Sequence, residues 1–184
     1  MIGSHNTMSY LKPVHWYHWF LLPWARCQNL DIDEQIKAGV TYLDIRLKYI
    51  NNAWHFVHNN VDFGVEDMYV YMQSNCYYRI CLDVRKKPKN AEQYEQLFYD
   101  HVNYLKKKYN IKLAETVIFW DWDVYSYLCA SISERHSSVN APWYIQLLGN
   151  KWWAKKYNKT FVKYNSIYYL VDYIQYGTIS NNRQ

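Results

Sequence analysis

The stretch Asp31-Ile32-Asp33-Glu34-Gln35-Ile36-Lys37-Ala38-Gly39-Val40-Thr41-Tyr42-Leu43-Asp44-Ile45-Arg46-Leu47 decides the fold. Asp31 followed three residues later by Glu34 is a capping box, in which each side chain satisfies a backbone N–H that a helix start leaves open. Ile36 and Ala38 continue the helix and Gly39 ends it. Val40 to Leu47 is then a mainly apolar strand, interrupted by Asp44 and Arg46. A helix that runs directly into a nearly all-apolar strand is the mark of a parallel sheet covered by helices.

The flanks repeat the theme. Met1 to Gly3 is a stub of strand that ends at His5, and an aromatic loop or helix follows over His15 to Trp24. Asn51-Asn52 signals a turn, and Trp54 to His58 reads as the next short strand. A short helix is expected over Val65 to Gln73 and a strand over Tyr78 to Val84. Tyr94, Leu97, Phe98, Val102 and Leu105 recur at helical spacing, which predicts a helix over Ala91 to Tyr109. Strands are expected at Thr116 to Trp120, Trp143 to Leu148 and Ile167 to Ile174, with a helix at Lys151 to Tyr157. Seven or eight strands alternating with helices suggest an α/β barrel. At 184 residues the chain is short for one. The expectation is therefore a single domain, 1–184, folded as a compact, distorted or incomplete TIM-type (β/α) barrel.

Composition bounds the function loosely. The formal net charge is +5 and the pI near 8.8, which suits a phosphate-bearing substrate or an anionic lipid surface and does not by itself select between them and nucleic acid. The runs Arg85 to Lys89 and Lys106 to Lys108 read most simply as solvated faces. Cys27, Cys76, Cys81 and Cys129 show no zinc-ligand spacing, and Cys81 sits in an apolar run as a buried thiol would. His15 and His18 lie three apart with no third metal ligand in view. No signal-peptide pattern precedes His5 and no apolar run of about 18 residues is present. A cytosolic, membrane-peripheral or virus-encoded intracellular protein is the expectation.

Chemistry concentrates in three segments: Ser4-His5-Asn6-Thr7, Asp44-Ile45-Arg46 and Phe56-Val57-His58-Asn59. Each ends an apolar strand, which is where a barrel keeps its functional residues. Two imidazoles can serve as base and acid near neutral pH, and a fixed arginine can stabilise charge developing on a phosphate. Such a set can cleave a phosphodiester without a metal. Asp44 either fixes the Arg46 guanidinium or, in a metal-dependent variant, ligates the ion. Asp121-Trp122-Asp123 ends another strand; its carboxylates can hold a metal or hydrogen-bond sugar hydroxyls, Asp121 being the substrate-binding candidate, or be simply a cap and a surface residue. The stretch Trp16 to Trp24, and Trp152-Trp153-Ala154-Lys155-Lys156, are either core or a surface that enters a lipid interface.

Ser4 to Thr7, Gly39 to Arg46 and Val57-His58 resemble the X-domain of the phosphatidylinositol-specific phospholipase C superfamily. The resemblance is clear over roughly the first 60 residues and returns weakly at Leu170-Val171-Asp172-Tyr173. It implies a TIM-type barrel in which His5 is the general base and His58 the general acid. Asp172 would pair with His5 and close the last strand on the first. The family's eukaryotic members bind calcium through the Asn after the first His and a set of carboxylates. Its bacterial members place an Arg where one carboxylate would be and need no metal. Arg46 looks like the bacterial version and would repel a divalent ion, while Asn6 matches the eukaryotic His-Asn pair and cannot share a proton as an Asp could. Arg85 and Lys86 stand where the family keeps basic head-group residues.

The resemblance implies a metal-independent phosphodiesterase that converts phosphatidylinositol to diacylglycerol and a cyclic inositol phosphate. No cofactor is expected, calcium being the alternative, and no nucleic-acid partner. The rival readings are a phosphodiesterase acting on a soluble glycerophosphodiester or nucleotide, and a catalytically silent module that binds anionic lipid.

Overall fold

A computed structural model describes residues 2–58, 60–84, 86–120, 134–136, 150–157, 168–171, 173 and 175. Its strands are β1 (Ile2–Ser4), β2 (Tyr42–Ile50), β3 (Ala53–His58), β4 (Val61–Val65), β5 (Tyr77–Val84), β6 (Lys112–Trp120), β7 (Glu134–His136) and β8 (Tyr168–Val171). The helices are α1 (Leu22–Ala25), α2 (Ile32–Lys37), α3 (Ala91–Tyr109) and α4 (Asn150–Tyr157), joined by 3-10 turns at Thr7–Tyr10, Trp16–Leu21 and Met68–Met72. The strand expected at Trp143 to Leu148 lies outside the described residues.

Six strands pair in parallel in the order β7-β8-β1-β2-β5-β6. The expected contact of last strand with first is present, with Gly3 opposite Leu170 and Ser4 opposite Val171. The expected α/β class is present as an open sheet among the described residues, and one strand expectation is corrected. Among the described residues β6 pairs only with β5 and β7 only with β8, so the sheet is open between them. The strand carrying His58 is also no barrel strand: β3 runs antiparallel to β2, and β4 antiparallel to β3. Asn51 and Asn52 close the β2–β3 hairpin at φ 49° and 64°. Two consecutive positive φ values make the primed turn whose twist matches a two-residue hairpin, and Asn tolerates them. The helix expected over Val65 to Gln73 is instead the end of β4 followed by a 3-10 turn.

The hairpin's placement follows from how short β1 is. Leu47 pairs with Leu82 of β5 on one edge of β2 and with Phe56 of β3 on the other. β1 takes that second edge only as far as Leu43. The two strands therefore share one edge of β2, β1 leaving where β3 arrives, and His5 meets His58 in the gap.

Period-two alternation sorts the central strands. Leu43, Ile45 and Leu47 of β2 and Tyr78, Ile80 and Leu82 of β5 join one apolar core with Phe98, Val102 and Leu105 of α3. Burying each large side chain there contributes about 1.5–3 kcal/mol. Leu97, expected on that face, is exposed instead. The opposite face of the same strands carries Asp44, Arg46, Arg79, Cys81 and Asp83, all buried. The capping box at Asp31 forms with both of its bonds, Asp31 Oδ1 accepting from Glu34 N and Glu34 Oε2 from Asp31 N.

Candidate active site

The chain leaves β1 at Ser4 and turns at once, Asn6 adopting a left-handed φ of 40°. Thr7 Oγ1 donates to Ser4 O, and Gln28 Nε2 donates to His5 O at 3.2 Å, which fixes the loop. His5 and His58 then stand edge to face, ring centroids 5.2 Å apart at 83°. Both are buried, as are Asn6, Asp44 and Arg46. The sequence-predicted His5, Asn6, Asp44, Arg46 and His58 thus come together in one place.

Hydrogen-bond chemistry assigns the imidazole protons. Arg46 Nη2 lies 2.8 Å from His5 Nε2. A guanidinium only donates, so Nε2 of His5 carries the lone pair. His58 Nδ1 lies 2.8 Å from Ala25 O, an acceptor, so that nitrogen carries the proton. Burial, then the positive Arg46 and then His5, hold the His58 pKa well below its ordinary value. Both rings are therefore proton acceptors before substrate arrives.

Asp44 sits at the centre of a buried charge row. Its Oδ2 accepts from Arg46 Nε at 3.1 Å and from Asn6 N at 2.9 Å. Its Oδ1 accepts from Arg79 Nη1 at 3.2 Å and from the Cys81 thiol at 3.4 Å. Arg79 Nε donates in turn to Glu115 Oε2 at 3.2 Å, and Asp83 Oδ2 lies 3.7 Å from Arg46 Nη1. Burial would raise the Asp44 pKa, but Arg46 and Arg79 outweigh it, with smaller help from His5 and Asn6 N, and hold it well below the usual range. Charges alternate along Glu115, Arg79, Asp44, Arg46 and Asp83, so each arginine is held from two sides. Of the two open readings of Asp44, this is the one that fixes Arg46.

Arg79, Asp83 and the Ala25 carbonyl do not stand out in the sequence, and Cys27 does so only by its type. The signal for the first two was the alternation Arg79-Cys81-Asp83 inside an otherwise apolar strand. Register then sets Asp44 opposite Arg79 and Arg79 opposite Glu115 across three strands. Lys86 is exposed in the turn after β5. Arg85, Asp121 and Asp172 lie outside the described residues. The side-chain oxygen and nitrogen of Asn6 are buried with no hydrogen-bond partner. A native protein seldom leaves such groups open, and beside two imidazoles they suit a polar ligand. Calcium takes six to eight oxygen ligands; with Arg46 against His5 and the nearby carboxylates bound to guanidiniums, these residues do not fit it.

Beside this site lies an aromatic arm. Trp16, Tyr17, Trp19, Phe20 and Trp24 are exposed, Trp16 by 75% and Phe20 by 72%. Core packing is thereby excluded for them. His18 alone of the 3-10 turn is buried, its Nδ1 accepting from Asp62 N at 3.3 Å, and Val14 N donates to Asp62 O at 2.9 Å. The arm's far end runs through Ala25, whose carbonyl holds His58, into Cys27 and Gln28, whose N–H groups both donate to Ser9 Oγ. Trp152 of α4 is likewise exposed. Among the described residues no helix is long and apolar enough to cross a membrane.

No family model matches the chain. A curated protein, the 1-phosphatidylinositol phosphodiesterase of Listeria monocytogenes, is 24% identical to it over 107 residues, which are 56% of this chain and 33% of that protein. Among solved structures, the phosphatidylinositol-specific phospholipase C from Listeria monocytogenes matches with 20% identity and a TM-score of 0.42, over 56% of this chain and 39% of that one. The chain spans about a third of the length of the curated relative it matches. The similarity to phosphatidylinositol-specific phospholipase C read from residues 4–58 is thus also found by direct comparison.

Proposed function

We propose that this chain is a phosphatidylinositol-cleaving phosphodiesterase that works by acid–base catalysis without a metal, at a membrane surface. The observation that carries the reading is the buried edge-to-face pair His5–His58 with the Arg46 guanidinium 2.8 Å from His5 Nε2. The Listeria relative, named as a 1-phosphatidylinositol phosphodiesterase, supports the substrate class.

In this reading the chemistry runs as follows. The substrate phosphate takes up Arg46, which turns part of its charge from His5 Nε2 to the phosphoryl oxygens and releases that lone pair. His5 then accepts the proton of the neighbouring inositol hydroxyl as its oxygen bonds to phosphorus. His58, neutral in the free protein, gains a proton at Nε2 when the phosphate anion offsets Arg46. It passes that proton to the diacylglycerol oxygen as the P–O bond breaks. A cyclic inositol phosphate and diacylglycerol leave, with the proton from the hydroxyl retained on His5. Asn6 offers its unpartnered amide to the bound substrate.

The exposed arm favours a lipid over a soluble phosphodiester, because Trp and Tyr partition to the membrane–water interface. Incubation with phosphatidylinositol vesicles in EDTA, followed by phosphorus NMR of water-soluble esters, tests the proposal. A cyclic phosphate signal that disappears in His58→Ala is expected. Product only with added calcium refutes metal independence. No product in either condition, with vesicle binding retained, favours a silent lipid-binding module.

A further inference from the structure

Three residues at the site share a property the phosphodiesterase reading does not use. His5, Cys27 and His58 each place a potential ligand atom within 4.8 Å of the others, and all three are buried. Cys27 Sγ lies 3.6 Å from His58 Nδ1. Two ligands sharing a tetrahedral zinc at bond lengths of about 2.3 and 2.0–2.1 Å stand about 3.5 Å apart, so Cys27 and His58 already stand at ligand spacing and His5 would close on them. We propose that His5, Cys27 and His58 form a binding site for one thiophilic divalent cation of the zinc class, and that this cation switches the site off.

The donor set selects the ion. Two imidazole nitrogens and a thiolate suit zinc and do not suit calcium or magnesium, which take oxygen ligands. Arg46 opposes any cation here, but its charge is already answered by Asp44 and Asp83, and that of Arg79 by Asp44 and Glu115. Three carboxylates against two guanidiniums leave a formal charge of −1. Cys27 binds as the thiolate, giving its proton to solvent, and adds a second negative charge. His58 binds through Nδ1, so its proton moves to Nε2 and the ion takes the place of the Ala25 carbonyl at that nitrogen. The ion takes the lone pair of each imidazole, that of His5 in place of Arg46, so His5 cannot accept the hydroxyl proton. The inhibitory half rests on the catalytic reading proposed above; the binding half does not.

Cobalt(II) titration of the chelator-stripped full chain tests the site, because cobalt occupies zinc sites and reports a thiolate ligand as a charge-transfer band in the near ultraviolet. One equivalent with that band is expected. Cys27→Ser should remove the band and weaken zinc binding, measured by competition with a chromophoric chelator, by about tenfold or more. His58→Gln should weaken zinc binding as much while keeping the band, and serves if the Cys27 variant fails to fold. Absence of the band, or a band that survives Cys27→Ser, overturns the site. Where wild type turns over substrate in EDTA, one equivalent of zinc should stop it and further EDTA restore it; undiminished turnover by zinc-loaded protein overturns the inhibition. A Cys27-dependent band in a chain that is inactive in EDTA refutes the catalytic reading and leaves the site standing.

Discussion

Replacing Arg79 by Met tests whether the buried charge row acts as one unit. Arg79 is 2% exposed and lies in β5, directly opposite Asp44. Met keeps most of the volume and removes the charge, leaving Asp44 Oδ1 with only the Cys81 thiol. Breaking a buried ion pair from one side costs about 3–5 kcal/mol. Asp44 keeps Arg46 and Asn6 N, and Glu115 is open enough to be rehydrated, so the low end applies: about 3 kcal/mol, or about 6–12 °C in Tm for a chain of this size. Urea unfolding followed by tryptophan fluorescence measures it. The Asp44 pKa is depressed in the fold, so its contribution is full above about pH 4 and is lost as pH falls through the lower folded value. The gap between variant and wild type should therefore narrow in acid. The double variant with Asp44→Asn should cost less than the two single changes added, by about 1–3 kcal/mol. A cost for Arg79→Met below about 1 kcal/mol, or simple additivity, refutes the reasoning.

Other expectations are as specific. The pKa of His58 is depressed, so its contribution is present above about pH 6.5 and lost as pH falls toward the folded value; His58→Gln should flatten the stability profile between about pH 7 and 5 in urea titrations. The paired change Trp16→Ser and Phe20→Ser alters exposed side chains, so stability should hold within about 0.5 kcal/mol per site while co-sedimentation with anionic vesicles is lost. Asn52→Ala, at φ 64°, should lower stability by about 1–2 kcal/mol in thermal melts, whereas Asn52→Gly should not.

Local signals were legible and long-range ones were not. The capping box at Asp31 and the helix Ala91–Tyr109 were read correctly because each is written within one or two turns of chain. The Asn51-Asn52 turn was seen, yet its meaning was not: a hairpin folds β3 back antiparallel, whereas strand content alone suggested another parallel strand. β4 was missed because five residues containing Asp62 and Gly64 carry no strand pattern, and what holds them is pairing with β3. The histidines and Arg46 stood out as polar residues ending apolar runs. Arg79 did not, because its partners Asp44 and Glu115 lie 35 and 36 residues away and are matched only by register. Cys27 was noted for its type alone, since nothing in its neighbourhood points to a histidine 31 residues on.

The first strand also bears on the order in which the molecule is assembled. β1 is three residues long and is held on one edge by Tyr42 and Leu43 and on the other by Tyr169 to Val171. Two pairings to β2 are few to fix so short a segment against its chain entropy, and the second edge waits for residues more than 160 positions later. During synthesis Arg46 and His58 can settle early, since β2, β3 and β5 are near neighbours in the chain. The second supporting edge of β1, and with it the full hold on His5, comes only after β8 has left the ribosome. A nascent chain thus carries every one of these site residues more than 100 positions before the strand that completes the edge beside His5.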